Sequence, residues 1–412
     1  HEHRRQRQMC IRDRSIINPS YGTEIGEVLY ATKDSANAAV ESAYEASKAW
    51  AKTGLSFRAE LILKFRQGII NRSVEIVDIC ISEAGKTRPD AEAELDRAVQ
   101  ALTHAAGVQH FFPTNYSQNV AGGIDIADLR FPIGVVAGVG PFNFPILIPI
   151  LHSAMALVTG NTYIAKPSEK VPSISRLYAD IWKEAGLPDG CYNVLNGGKE
   201  IVELLVRHEK VDGLAFIGST GAAKSLKMLG VEHNTKVQAL GGGKNHMIVL
   251  PDADLDMSAD AAVSASFGAA GQRCMAVSVV VAVGDIADDL ISKIQSRMPN
   301  LVMGVTDDEK TQLGPVISQV NKDRIYSFID SAEPDGASLV VDGRHRSNSL
   351  EGCFVGPTLI DNVKPGMSVY ENEIFGPVLC FVRAKTYDEA MQITHSHQPV
   401  SYTHLRAHET LD

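Results

Sequence analysis

Several absences narrow the possibilities before any motif is considered. No apolar run reaches 18 residues, so no transmembrane helix is predicted. The longest apolar stretch, 131–150, is interrupted by glycine, proline and Asn143 and reads as buried strand plus loop. The six cysteines form no CxxC pair and show no zinc-type spacing. That argues against a disulfide framework and fits a reducing compartment, hence a cytoplasmic setting. No charged-then-apolar segment opens the chain, so no signal peptide is read. Positive charge is in deficit: 39 Lys and Arg against 49 Asp and Glu, a net −10. Such a balance argues against a nucleic-acid partner and against an anionic membrane surface. Internal repeats and low-complexity tracts are also missing.

What is present is an ordinary globular composition, 44% hydrophobic and 21% charged, over a length that suits two or three domains. The two ends stand apart. Residues 1–14 carry five arginines against one Glu and one Asp, with neither helical nor strand periodicity. Residues 399–412 also break the preceding pattern. Both stretches resemble translated sequencing-adapter sequence and are expected to be non-native tails.

From Thr32 the pattern turns helical. Asp34 or Ser35 is expected to cap a helix whose apolar face uses Ala39, Val40, Ala43, Ala46 and Trp50. Further helices are expected over 57–71, 74–84, where Gly85 stops the chain, and 90–110. Weak alternation over 115–132, around Gly122 and Gly123, predicts a hairpin. From Ile133 strands and helices alternate: GVVAGVG, NTYIAK, CYNVL and GLAFIG each precede a helical stretch. A second αβ series runs over 254–392, with strands MAVSVVVAV and SLVVDG. This alternation predicts an α/β fold with a parallel sheet covered by helices on both faces.

Five segments carry residues suited to chemistry. In GLAFIGSTG a strand ends at Gly218, and Ser219 lies where a helix begins near Gly221. A helix N-terminus favours a phosphate, although the segment lacks the GxGxxG fingerprint and could be a simple cap. In IAKPSEK, Lys166 and Glu169 fall at the carboxyl edge of a sheet, where they could hold ribose hydroxyls or form a solvated loop. GQRCMA places Cys274 in a glycine-bearing loop before a buried strand. An exposed, electropositive setting there would make it a nucleophile; a buried one would make it an inert small hydrophobe. In GPFNFP, Asn143 is a lone amide amid apolar residues, so it is either hydrogen-bonded or poised to donate to a developing oxyanion. ENEIFGPV brings Glu373 and Phe375 ahead of another strand.

Taken together and in this order, GPFNFP, KPSE, FIGST, GQRC and EIFGPV resemble the aldehyde dehydrogenase superfamily over about residues 16–398. The runs VQALGGGKNHMIVLPDADLD, FGAAGQRCMA and FVGPTLIDNVKPGM look like its CoA-acylating methylmalonate-semialdehyde dehydrogenases. The resemblance implies a Rossmann-type NAD-binding domain over 15–114 and 133–241, a β-hairpin oligomerisation arm over 115–132, and an α/β catalytic domain over 242–398. In the superfamily the chain continues beyond EIFGPV, so the catalytic domain is expected to be truncated at its C-terminus, and the truncated chain to risk inactivity. By the same resemblance Cys274 is the nucleophile, and Asn143 with the Cys274 N–H forms the oxyanion hole. Phe142, Lys166, Glu169, Gly218, Ser219, Glu373 and Phe375 contact NAD. Arg97 and Arg273 face the substrate carboxylate. No metal is implied. A homo-oligomer, dimer or tetramer, is implied for the full-length protein, with a small aldehyde and coenzyme A as its partners.

One departure sets the subclass. Hydrolytic members read LELGGK, where the Glu activates water. Here the matching run is ALGGGK, and Leu240 stands in that place. Leucine cannot accept a proton, whereas a CoA thiol once ionised needs no such base. The acyl group is therefore expected to leave Cys274 on CoA, with the substrate carboxyl departing as CO2 as the resemblance implies. The alternative, a generic NAD(P)-dependent enzyme releasing free acid, is disfavoured by Leu240. Gly241 and Gly243 also depart from the methylmalonate-semialdehyde group, which usually has a bulkier Met and a small Ala at these places.

Overall fold

The computed structural model describes residues 13–112, 114–347, 349–397 and 403–406. The remainder of the two terminal stretches, and Cys10 with them, lies outside the described residues. Of the ends read as foreign, residues 13–14 enter strand β1 (Asp13–Asn18), which pairs with β2 (Thr23–Leu29). The chain divides into two compact units, one holding residues up to 16, 25–80 and 91–241, the other 17–24, 81–90 and 242 onward.

In the first unit the helix Lys33–Trp50 is capped by Thr32, not by Asp34 or Ser35. Thr32 is in extended conformation and its hydroxyl accepts the Ser35 N–H at 3.2 Å, so the chain turns helical just after it. Ala36, Val40, Ala43, Ser47 and Trp50 form its buried face, while Ala39 and Ala46 lie at the margin. Helices Leu55–Asn71, Ser73–Ala84 and Arg88–Ala106 follow. The expected hairpin is β3 (Tyr116–Ala121) and β4 (Ile124–Ala127), turning at Gly123 with φ +79°.

The unit is organised by a five-stranded parallel sheet. Its strands are β5 (Val135–Val139), β6 (Thr162–Lys166), β7 (Tyr192–Val194), β8 (Gly213–Ile217) and β9 (Lys236–Leu240), in the order β7-β6-β5-β8-β9. Helices Leu147–Val158, Ser173–Ala185, Lys199–Arg207 and Thr220–His233 supply the crossovers. The strand β9 went unread in the sequence because only Ala239 of its residues is fully buried. The order reverses at β5, and that switch point opens a crevice at the carboxyl ends of β5 and β8.

The second unit holds a six-stranded sheet. Its strands are β10 (Asn245–Val249), β11 (Val277–Val283), β12 (Ser338–Val341), β13 (Thr358–Asp361), β14 (Val378–Ala384) and β15 (Thr403–Arg406). They run β12-β13-β14-β11-β10-β15, parallel except for the β12–β13 pair. The central strands are buried on both faces, as Val277, Val279, Val280 and Val281 show. No helix of the described residues is long and apolar enough to cross a membrane.

Candidate active site

The first unit gathers its candidates at the carboxyl edge of the parallel sheet. Lys166 ends β6, is almost fully buried, and donates from Nζ to the Gly197 carbonyl at 2.8 Å. Its ammonium also lies 3.7 Å from Glu169, and burial pulls its pKa below the usual lysine range. Glu169 is in addition 3.5 Å from Arg14. Of the two readings left open for this segment, a fully solvated loop does not hold, since Lys166 is desolvated in an ionic corner. After β8, Gly218 has no room for a side chain, since a Cβ would stand 2.5 Å from the Phe216 ring. Ser219 is the cap residue, its side chain makes no cap hydrogen bond, and the helix begins at Thr220, next to Gly221. The helix N-terminus thus stands at the carboxyl end of β8 without a Ser219 cap bond.

Phe142 and Asn143 lie on the loop between β5 and the helix Leu147–Val158. Asn143 is buried, and the Lys170 ammonium sits 5.1 Å from the Phe142 ring centroid. Sequence reasoning missed the residue that anchors this loop. Glu94 is 2% exposed, and one carboxylate oxygen accepts the N–H groups of Ile146 and Leu147 at 2.7 and 2.8 Å. An acid at the first turn of a helix satisfies orphan donors and complements the dipole. The available signal was position: Glu94 falls on the buried face of its helix, with Ala91, Leu95 and Ala98. Arg97 is exposed on that same helix and lines a groove of about 410 Å³ with Gln100, His104, Leu147, Leu151 and Met155.

In the second unit Cys274, Glu373 and Phe375 line one small cavity of about 10 Å³, together with Gly243, Asn245 and Gly271. The backbone around it is strained. Ala269 and Ala270 have φ of 50° and 52°, and Phe375 has φ of 55°, all in the left-handed region. Gly271 has φ of +69°, and a Cβ there would stand 2.1 Å from the Gly376 carbonyl oxygen. The cysteine loop and the EIFGPV loop therefore meet backbone to backbone. Gly242 serves a similar end, for a Cβ on it would stand 1.9 Å from the Glu373 carboxylate. That carboxylate accepts the Gly243 N–H, and burial raises its pKa above the ordinary range. Arg324 donates to the carbonyls of Glu373 and Ile374 at 3.1 and 2.6 Å, and buried Lys244 donates to those of Val369 and Asn372 at 2.7 and 2.9 Å.

Cys274 is exposed, as a reactive cysteine must be, and its thiol meets opposing influences. Lost hydration and the nearby Glu373 charge push the thiol upward, against N–H groups of Cys274 and Met275 and the charge of Lys86, which pull it down. The neighbouring Arg273 guanidinium is ion-paired with Asp90. Lys86, on the turn after Gly85, was not singled out in the sequence; it is buried and its charge reaches Cys274. The other described cysteines, Cys80, Cys191, Cys353 and Cys380, are buried and inert by comparison. Among the described residues, no cluster of three or more His, Cys, Asp or Glu could hold a metal ion.

A doubly wound parallel sheet, with a built corner and an open helix N-terminus at its switch point, defines a nucleotide-binding α/β protein. The family model for the aldehyde dehydrogenase family matches residues 7–398, and the chain belongs to that family. It is 39% identical over 379 residues to malonate-semialdehyde dehydrogenase 2 of Geobacillus thermodenitrificans, covering 92% of this chain and 78% of that protein. Among solved structures, methylmalonate-semialdehyde dehydrogenase from Oceanimonas doudoroffii superposes with a TM-score of 0.94 at 39% identity, covering 97% of this chain and 83% of the other. A Sinorhizobium meliloti protein described by the same activity, and complexed with NAD, superposes with a TM-score of 0.93 at 39% identity, covering 96% of this chain and 82% of the other.

Proposed function

We propose that this chain is an NAD-dependent aldehyde dehydrogenase that oxidises malonate or methylmalonate semialdehyde and delivers the acyl group to coenzyme A. The substrate class follows from the relatives, and the acyl acceptor from Leu240. The observation that carries the acceptor is that the place of the water-activating carboxylate holds an exposed aliphatic side chain.

The residues present fit a dinucleotide. Gly218 keeps the crevice floor clear, the helix beginning at Thr220 presents its positive end, and Lys166 and Glu169 offer a donor and an acceptor for ribose hydroxyls. We assign Phe142, Ser219, Glu373 and Phe375 to the same cofactor. The Glu169 carboxylate favours NAD over NADP, because it would repel a 2′-phosphate. When bound, NAD supplies the hydride acceptor.

Cys274 is the nucleophile in this reading. Its thiol must lose its proton first, and the N–H groups of Cys274 and Met275 stabilise the resulting thiolate. The sulfur attacks the aldehyde carbon, and Asn143 donates to the oxygen that takes up the negative charge. After loss of hydride the acyl group remains on Cys274 as a thioester. The CoA thiolate then attacks the thioester carbon, the bond to Cys274 breaks, and the cysteine thiolate is regenerated. Arg97 and Arg273 are assigned to the substrate carboxylate, Arg273 by exchanging its Asp90 partner for substrate. A cytoplasmic location and a homo-oligomeric assembly of two or four copies complete the reading, supported by the absence of a disulfide among the described residues and by the exposed apolar hairpin residues Tyr116, Ile124 and Ile126.

The test is NADH formation at saturating aldehyde and NAD while CoA is varied from none upward. Without CoA the enzyme should release about one equivalent of NADH per active site and then stall, the fingerprint of a trapped covalent intermediate. CoA should restore steady turnover and yield an acyl-CoA. Full steady turnover to free acid without CoA would overturn the assignment of acceptor.

A further inference from the structure

Asn245 opens β10 and is only 2% exposed. Its side-chain Nδ2 donates to two carbonyls of the cysteine loop, those of Cys274 at 2.8 Å and Ala276 at 3.0 Å. The register of β10 against β11 shifts at this residue: Asn245 pairs with Val277, but His246 pairs with Val279. The irregularity lets the side chain of a strand residue reach back to the loop that precedes the neighbouring strand. A second amide braces the same loop from its other end. Buried Gln272 donates to the carbonyls of Ala269 and Pro315, each at 3.3 Å, and accepts the Ile317 N–H at 2.9 Å.

A trans peptide carries its C=O and N–H on opposite sides, and the chain contains no cis peptide bond among the described residues. Anchoring the Cys274 carbonyl to Asn245 therefore decides where the N–H of Met275 points. That N–H is directed at the Cys274 sulfur. We propose that Asn245 is a positioning residue, which holds the 274–275 peptide so that its N–H stabilises the Cys274 thiolate. It touches neither substrate nor cofactor in this assignment; it acts through the backbone. Other charges facing the thiol are Glu373 from the EIFGPV loop and Lys86 from the turn after Gly85. Neither depends on the Asn245 amide, so their contributions stay constant when it is changed. The inference rests on Cys274 being the nucleophile.

The experiment measures alkylation of Cys274 by iodoacetamide against pH in the cofactor-free full chain, read by peptide mapping. Asn245→Leu nearly keeps the size, adds no charge and removes both donors. Its alkylation midpoint should rise by about one pH unit, the shift that accompanies loss of one hydrogen bond to a charged group. Asn245→Ser retains one donor and should recover part of the shift. With turnover followed in parallel, kcat should fall in Asn245→Leu while KM for NAD stays near that of the parent. Asn245→Ala serves as a second donor-free variant should Asn245→Leu not fold. An unchanged midpoint in a folded donor-free variant overturns the positioning role. Failure of the underlying reading looks different: the parent enzyme, fully alkylated at Cys274, would still turn over.

Discussion

The two units hold their candidate residues by opposite means. The first uses regular structure: Lys166 is the last residue of a strand, Ser219 the cap of a helix, and Glu169 lies one turn of loop beyond. Their placement follows from where parallel strands end. The second uses strain. Cys274 is reached through two alanines in the left-handed region, and Phe375 adopts the same conformation ahead of β14. Such residues persist only when their surroundings over-determine them. Here the surroundings are close backbone approaches at Gly271 and Gly242 and the side-chain ties from Lys244, Arg324, Gln272 and Asn245. In the proposed assignment the regular scaffold holds Lys166, Glu169 and Ser219, and the strained one holds the nucleophile together with Glu373 and Phe375.

The sharpest way to break this contrast is Cys274→Ala. Turnover should vanish while NAD affinity, measured by fluorescence titration, remains that of the parent, because the lost group makes the covalent bond and nothing in the first unit changes. Normal turnover would sink the mechanism. A smaller effect is expected from Asn143→Ala in the first unit. Single-turnover hydride transfer should slow by about 10²–10³, the usual consequence of removing one oxyanion donor, with NAD affinity preserved. An unchanged rate would give Asn143 a structural role and leave the chemistry wholly to the second unit.

The smallest expected effect concerns acid. Each unit carries a shielded histidine whose pKa burial lowers to about 4, the half-buried His152 in the first and the fully buried His246 in the second. In both, the unfolded chain binds the proton more readily than the folded one between about pH 6.5 and 4. Stability is therefore full above pH 6.5 and falls as the pH drops through that window. The slope approaches about 1.4 kcal/mol per pH unit per histidine. Substituting His246→Asn and His152→Asn separately, and following thermal midpoints from pH 7 to 4, should flatten the acid slope in each case. A slope untouched by either substitution would place the acid sensitivity elsewhere.

The readable parts of the sequence were those with a period or a punctuation mark. The helices from Lys33 to Ala106 showed themselves by apolar spacing, and Gly85 and Gly123 by the positive φ that only glycine adopts without cost. The alternation of β5, β6, β7 and β8 with helices was equally plain, since β5, β6 and β8 are short, largely buried runs, although β7 is only half-buried. Strand β13 was harder, because four residues carry too little pattern. The motifs bearing Asn143, Lys166, Glu169, Ser219, Cys274, Glu373 and Phe375 stood out as a set. Glu94, Lys86 and Asn245 did not, being ordinary polar residues whose importance lies in what they touch.

By itself the sequence determined the α/β class, the family, and the chemistry that Leu240 withholds, since these rest on residue type, order and spacing along one chain. Only the tertiary structure decided the state of those residues. That Arg273 is paired with Asp90, 183 positions away, that the Cys274 thiol is raised rather than lowered, and that Asn245 grips the cysteine loop are consequences of contacts between distant segments. Hydration, charge and backbone direction at a site are sums over neighbours in space, and no local pattern encodes them.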